Sequence, residues 1–100
     1  MRLSQKQIQA ITETVFRVAG ETAEVYLFGS RLDDKAKGGD VDILVETCTH
    51  LSLIQRARIK MELESRLGLP VDIVAKARDV APTPFQAIAR SNSILLAPQP

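Results

Sequence analysis

Three short apolar runs that alternate with helical patterns limit the folds open to this chain. The runs are Glu24–Phe28, Asp40–Glu46 and Pro70–Ala75, and each has a glycine or a proline at one end. Runs of this length, rich in β-branched and aromatic residues, predict strands. Strands separated by helices predict a mixed layer in which helices pack on a small sheet. We therefore expect an α/β or α+β fold with a mixed sheet of three to four strands.

Helical spacing marks the segments around these runs. Two of the segments open on a capping-box pattern, a serine with a glutamine three residues later, and both end before a glycine. The expected helices are those from about Ser4 to Ala19, from Ser52 to Leu67, from Pro84 to Ser91, and a short one that begins at Ser30. The helix after Ser52 is expected to bury Ile54, Ala57, Met61 and Leu63 to Leu67, and to expose Arg56, Lys60 and Arg66. The last helix leads into an apolar tail, Ile94–Leu96.

Length and composition narrow the class of protein. One hundred residues suit one domain, so we expect residues 1–100 to fold as a single unit. A net charge of +1 without a basic stripe argues against direct nucleic-acid binding. Cys48 is the only cysteine, and no apolar run approaches the roughly 20 residues that a membrane span needs. We expect a soluble protein of the reducing cytoplasm, without disulfides.

Two aspartates stand at the start of the second run, in the sequence Asp40-Val-Asp42. Residues i and i+2 of a strand project from the same face, so we expect the two carboxylates side by side. A cation that both coordinate relieves their repulsion, and Mg²⁺ prefers such oxygen ligands. Taken alone, the motif more often marks a turn cap followed by a solvated sheet face.

A third aspartate, Asp72, lies in the middle of the third run, between Val71 and Ile73. An ionised carboxylate there needs a partner, because burying it alone is very costly. If its strand lies beside that of Asp40 and Asp42, the three carboxylates converge. Two metal ions can then be clamped between them, as in phosphoryl-transfer sites. The alternative is an exposed aspartate at a sheet edge.

The first run ends in Gly29-Ser30-Arg31. A glycine at the end of a strand lets a ligand approach the backbone closely, because no side chain intervenes. If Ser30 opens a helix, free N–H groups and the helix dipole face any anion bound there. The same turn is common in proteins that bind nothing, so these residues indicate a phosphate site only in combination with the aspartates.

The combination is much rarer than its parts: an apolar strand, Gly29-Ser30, nine intervening residues, Asp40-Val-Asp42 opening a second strand, and Asp72 in a third. It resembles the DNA polymerase beta superfamily of nucleotidyltransferases. Within it, the chain is most similar to the minimal nucleotidyltransferase (MNT) family, small prokaryotic proteins that often act as antitoxins to HEPN-domain toxins. The resemblance covers nearly the whole chain, although the spacer is slightly shorter than the family's commonest one.

This resemblance implies a polymerase-beta-like fold and transfer of a nucleoside monophosphate, AMP from ATP, with pyrophosphate leaving. The implied catalytic residues, which are also the ligands of two Mg²⁺ ions, are Asp40, Asp42 and Asp72, and the implied nucleotide-binding residues are Gly29, Ser30 and Arg31. Asp72 is the implied acceptor of the proton from the attacking hydroxyl. The resemblance therefore implies an ATP-dependent, magnesium-dependent enzyme of the protein adenylyltransferase type.

Three functions remain open from the sequence. The first is an enzyme that adenylylates a tyrosine of a cognate HEPN toxin and so acts as its antitoxin. The second is a non-catalytic antitoxin that neutralises its toxin by forming a complex. The third, and weakest, is an enzyme for small molecules such as aminoglycosides, which would need a pocket built by dimerisation. The first two imply a hetero-oligomer and the third a homo-oligomer, and none involves a membrane.

Overall fold

The computed structural model of the chain describes residues 3–29 and 39–97. In chain order, its elements are helix α1 (Gln5–Ala19), strand β1 (Glu24–Phe28), strand β2 (Val41–Thr47), helix α2 (Leu53–Leu67), strand β3 (Val71–Ala77), helix α3 (Pro84–Ser91) and strand β4 (Ile94–Ala97). The strands form one mixed sheet in the order β3-β2-β1-β4, with β2 and β3 parallel and the other pairs antiparallel. The predicted α+β fold is confirmed. The short helix expected from Ser30 lies outside the described residues.

Local sequence signals set the helix ends. Ser4 and Gln7 form the predicted capping box at α1, in which the Ser4 hydroxyl accepts a hydrogen bond from the Gln7 N–H. The same arrangement begins α2 at Ser52, and α2 ends at Gly68 in the left-handed conformation. A third capping box, at Thr83 before α3, was not predicted although the sequence carries it.

The sheet has two faces of different character. The core face carries the odd-numbered residues of the central strands, and α1 and α2 pack on it. Its fully buried side chains include Val25, Leu27, Ile43 and Val45. The opposite face carries the even-numbered residues and is covered in part by α3, whose Phe85 packs edge-to-face on Phe28. We call this second face the α3 face.

A charged network fixes α3 to the sheet. Arg90 donates a hydrogen bond from Nη1 to Glu46 Oε1 over 3.3 Å, and its guanidinium lies 4.1 Å from the centroid of the Tyr26 ring. Glu46 is only 8% exposed, and Lys76 Nζ lies 3.9 Å from the same oxygen. The buried carboxylate is thus compensated by two cations, as burial requires. Burial, and then the charge of Glu24, raise the pKa of Tyr26 within this network.

The expectation for the buried face of α2 was right for Leu63 but wrong for Ile54, Ala57 and Met61. Ile59 and Leu63 are fully buried, whereas Ile54 and Met61 are 74% and 70% exposed. Both sets have helical spacing, so periodicity alone does not choose between them. The choice is made by contacts distant in sequence, such as the hydrogen bond from the Gln55 amide to the Val18 carbonyl.

The apolar tail expected after α3 is the edge strand β4, which pairs antiparallel with β1. Its inner residues Leu96 and Ala97 are buried, whereas Ile94 is 45% exposed. Over residues 3–29 and 39–97, no helix has both the length and the apolar character that crossing a bilayer requires.

We expect the two apolar types of position on α2 to respond differently to truncation. Leu63→Ala opens a cavity in the core and should lower the free energy of unfolding by about 2–5 kcal/mol. Met61→Ala, at an exposed position, should change it by less than about 0.5 kcal/mol. Urea unfolding of both variants measures the difference, and equal losses would show that the packed face of α2 is misplaced.

Candidate active site

Asp42 and Asp72 are direct neighbours on the α3 face. They pair in the parallel register of β2 and β3, and Phe28 on β1 pairs with Asp42 from the other side. Neighbouring strands lie about 4.8 Å apart, which brings the two carboxylates within reach of each other. The predicted convergence of the two carboxyl-bearing strands is therefore present in the sheet.

Asp40 lies just before the strand rather than on it. Strand β2 begins at Val41, whose N–H donates to the Pro70 carbonyl over 2.9 Å, and Asp40 is exposed. The prediction that Asp40 opens the strand was therefore wrong by one residue. The Asp40 carboxylate still acts on Asp42, because its charge is one of the causes that raise the pKa of Asp42.

The pKa of the Asp42 carboxyl lies above its ordinary value. Its partial burial raises the pKa of its carboxyl, and the negative charges of Asp72 and Asp40 raise it further. A hydrogen bond shared with Asp72 adds to the same effect. Each of these causes opposes ionisation of Asp42, and a cation bound between the carboxylates would reverse them.

Gly29 closes the site from the side of β1. It adopts a φ of +81°, and a Cβ built on it would lie 2.2 Å from Asp42 Oδ2. L-residues rarely adopt this φ, and a side chain fits in this space only if the Asp42 carboxylate moves. The glycine therefore lets the Asp42 carboxylate lie directly against the backbone at the end of β1.

Asp72 is on an edge strand and is exposed, contrary to the expectation that it lies in the interior of an apolar strand. Its side chain is 65% exposed, and its Oδ1 lies 4.0 Å from Lys60 Nζ on α2. The alternative interpretation of Asp72, an exposed aspartate at a sheet edge, is therefore correct about its exposure. Its position beside Asp42 nevertheless places it in the carboxylate group.

Lys60 and Glu64 hold the start of β3, and sequence reasoning missed both. The Val71 N–H donates to Glu64 Oε2 over 2.9 Å, and the Val71 carbonyl accepts from Lys60 Nζ. The hydrogen bond from Val71, and then that from Lys60, lower the pKa of Glu64. The i,i+4 spacing of Lys60 and Glu64, just before the Asp72 strand, was the available signal.

The donor chemistry of these residues fits Mg²⁺. Carboxylate oxygens are the ligands that this ion prefers, and the mutual repulsion at Asp42 is what a divalent cation removes. In the parts of the chain that the structure describes, no group of three or more acidic, histidine or cysteine side chains is placed to bind a metal ion together. The fit therefore rests on the type and charge of the donors. Ser30 and Arg31, the other predicted nucleotide ligands, lie outside the described residues.

The polymerase beta nucleotidyltransferase family model matches residues 6–99, which include the Gly29 turn and all three aspartates. The chain belongs to this family. Its fold and activity class are therefore those of a nucleotidyltransferase, as the sequence predicted. No curated protein matches the chain.

Solved structures with the same fold come from toxin–antitoxin systems. One is a complex of a tri-AMPylated HEPN toxin with an MNT antitoxin from Shewanella oneidensis; it matches with a TM-score of 0.70 and 25% identity, over 94% of this chain and 71% of the matched chain. A toxin–antitoxin structure with AMP-PNP matches with a TM-score of 0.70 and 25% identity, over 89% of this chain and 71% of the matched chain. A mutant MntA–HpeT complex, with a TM-score of 0.71 and 23% identity, shares the fold over 89% of this chain and 71% of the matched chain.

The contact between Gly29 and Asp42 predicts that a side chain at position 29 impairs nucleotide binding by the nucleotidyltransferase. Gly29→Ala should abolish Mg²⁺-dependent binding of AMP-PNP, because the new methyl group displaces the Asp42 carboxylate. Gly20→Ala is a matched control, since Gly20 has a φ of +101° but open space around its Cβ position. Both variants should lose about 1–3 kcal/mol of stability from the positive φ. Isothermal titration calorimetry would contradict the interpretation if both variants bound the nucleotide equally.

The raised pKa of Asp42 predicts a pH-dependent effect of Asp42→Asn in the metal-free nucleotidyltransferase. Above the folded-state pKa, ionised Asp42 destabilises the fold, so the variant should be the more stable protein. Its advantage should shrink as the pH falls through the folded-state pKa, and vanish below the ordinary value of 3.8, where Asp42 is neutral in both states. Urea unfolding across this pH range, with EDTA present, measures the difference. An advantage independent of pH would refute this cause.

Proposed function

We propose that this nucleotidyltransferase transfers AMP from ATP to a hydroxyl group of a partner protein, and that this modification makes it an antitoxin. The observation that carries the proposal is the placement of Asp42 between Gly29 and Asp72 on one face of the sheet. A glycine turn for phosphates beside paired carboxylates is an arrangement suited to phosphoryl transfer. We propose Asp40, Asp42 and Asp72 as the catalytic and metal-binding residues, and Gly29, Ser30 and Arg31 as the nucleotide-binding ones.

Two Mg²⁺ ions, when bound by the three aspartates, would supply neutralisation of phosphate charge and a lowered pKa for the acceptor hydroxyl. The residues of the chain do the rest. Asp72 is exposed and accepts the proton from that hydroxyl, since it faces solvent at the sheet edge. The hydroxyl oxygen forms a bond to the α-phosphorus of ATP, the bond from that phosphorus to pyrophosphate breaks, and pyrophosphate leaves. The Gly29 turn orients the departing phosphates.

The partner in this proposal is a HEPN toxin, with a tyrosine as the acceptor. Support comes from the fold shared with the Shewanella oneidensis complex, in which the HEPN toxin is tri-AMPylated, and with the AMP-PNP complex. A single continuous core joins α1, α2 and the sheet, which supports residues 1–100 acting as one domain. A cytoplasmic location completes the proposal, because Cys48 is free and exposed, as suits a reducing compartment.

The proposal predicts that Asp42→Asn abolishes transfer without abolishing the complex. The variant should lower the rate of label transfer from α-labelled ATP to the toxin at least about a hundred-fold, since metal ions supply several kcal/mol of transition-state stabilisation. Asp79→Asn is a matched control, because Asp79 is exposed beyond the opposite end of β3 from Asp72. Absence of label on the toxin with the wild-type protein, with any NTP and Mg²⁺, would refute the enzymatic proposal.

The same variant separates catalysis from neutralisation by binding alone. An Asp42→Asn protein that binds the toxin but no longer protects cells shows that modification is the protective step. If the variant still protects cells at wild-type concentration, the protein acts as a non-catalytic antitoxin, and the transfer is not the means of protection.

A further inference from the structure

A groove runs along the outer edge of the sheet, between β3 and the first half of α2. It encloses a cavity of about 330 Å³. The residues that line it are Leu53, Arg56, Ala57, Lys60, Asp72 and Ile73. Asp72 thus belongs to two places at once: it is the sheet neighbour of Asp42 and forms one wall of this groove.

The lining combines an apolar floor with unpaired positive charge. Leu53 is 79% exposed at the mouth of the groove, and the neighbouring Ile54 is 74% exposed. Lys60 is held by Glu64 and the Val71 carbonyl. The Arg56 guanidinium, in contrast, has no ion pair with any residue of the described segments. An exposed apolar patch beside a free cation is typical of a surface that binds a segment with acidic and apolar side chains.

The backbone of β3 offers one free position in this groove. Even-numbered residues of β3 bond to β2, as the neighbouring bonds from Val41 to Pro70 and from Arg78 to Thr47 show. Odd-numbered residues face the open edge. Among them, Val71 is satisfied by Glu64 and Lys60, and the Ala75 carbonyl accepts from the Gln86 amide. Ile73, which lies between them, is 8% exposed, and no hydrogen bond joins its backbone to the described residues from the edge side.

We propose that this groove binds the acceptor segment of the partner protein. The segment lies extended along β3 and pairs with the Ile73 N–H and carbonyl. Its hydroxyl-bearing side chain reaches Asp72, and an acidic side chain next to it meets Arg56. This inference rests on the proposed function, since it assigns the acceptor side of the same reaction. A short extended segment added to a sheet edge is an established mode of peptide recognition.

The arrangement of the strands supports this assignment to the acceptor rather than to ATP. The Gly29 turn is at the end of β1, Asp42 is on β2 and Asp72 is on β3, so the three follow one another across the sheet. The groove lies beyond Asp72, on the side away from Gly29. In phosphoryl transfer, the attacking oxygen and the leaving pyrophosphate are roughly in line on opposite sides of the phosphorus. If the phosphates lie at Gly29, the acceptor therefore approaches from the edge of β3.

The test measures binding, which does not depend on transfer. The probes are two fluorescein-labelled peptides with one tyrosine each, flanked by glutamates in one and by lysines in the other, added to the full chain with AMP-PNP and Mg²⁺. We expect the glutamate peptide to bind more tightly. We expect Arg56→Glu to weaken its binding by at least about five-fold, because reversal replaces a surface attraction with a repulsion. Arg58→Glu, the same change outside the groove on the same helix, should leave binding unchanged.

Amide exchange tests the backbone part of the proposal. Binding of the glutamate peptide should slow exchange of the Ile73 N–H, and a peptide N-methylated next to its tyrosine should lose this effect.

Four outcomes would overturn the proposal. They are no binding of either peptide at about 1 mM, equal losses in Arg56→Glu and Arg58→Glu, unchanged exchange at Ile73, or a loss of AMP-PNP affinity in Arg56→Glu with peptide affinity retained. The last would assign Arg56 to phosphate. Peptide binding with these specificities, combined with absence of label transfer from ATP, would instead refute the proposed function and leave the groove assignment standing.

Discussion

The repulsion between Asp42 and Asp72 is the constraint on which the rest of the site depends. Partial burial of Asp42 opposes its ionisation, and the negative charge of Asp72 on the adjacent strand adds to that opposition. The sheet holds them together because the opposite face of the same strands is packed into the core, with Val41 and Val71 fully buried. A slip of one residue would turn that apolar set outward, so the register that buries the core also places the carboxylates. Packing on the core face thus keeps the Asp42 and Asp72 carboxylates side by side on the α3 face, although that arrangement is unfavourable.

Much of the fold follows from signals that are local in the sequence. The capping boxes at Ser4 and Ser52 and the left-handed Gly68 set helix ends through contacts within one turn, and the prediction placed them well. The buried face of α2 followed only in part, because Ile54 and Ile59 have equal hydrophobicity and both fit helical spacing. Which of the two is buried depends on the packing of α1 against α2, and these helices meet only in the folded protein. Strand β4 escaped prediction for the same reason, since its partner β1 is distant in sequence.

The arrangement of the candidate site followed only partly from the sequence. The pattern of Gly29-Ser30, Asp40-Val-Asp42 and Asp72 identified the family. The parallel pairing of β2 and β3 brings Asp42 and Asp72 together as expected. The edge position of Asp72 was not predictable, because strand order is a tertiary property. That position changes the reading of Asp72, since a carboxylate at an edge is accessible to a second reactant. The same order explains why Lys60, on a helix between two strands in sequence, contacts the site.

The contacts of Lys60 and Glu64 with Val71 also bear on how copies of this protein behave toward one another. An exposed edge strand presents a row of unpaired backbone groups, which is a template for strand addition and aggregation. Here, two helix side chains satisfy one position of β3 and Gln86 caps the carbonyl of another. Continuous pairing of β3 with a second β3 is thereby blocked, because an incoming strand would have to displace these side chains. These side chains prevent fibrous self-association through the β3 edge. A ligand short enough to fit between them can still pair with the strand.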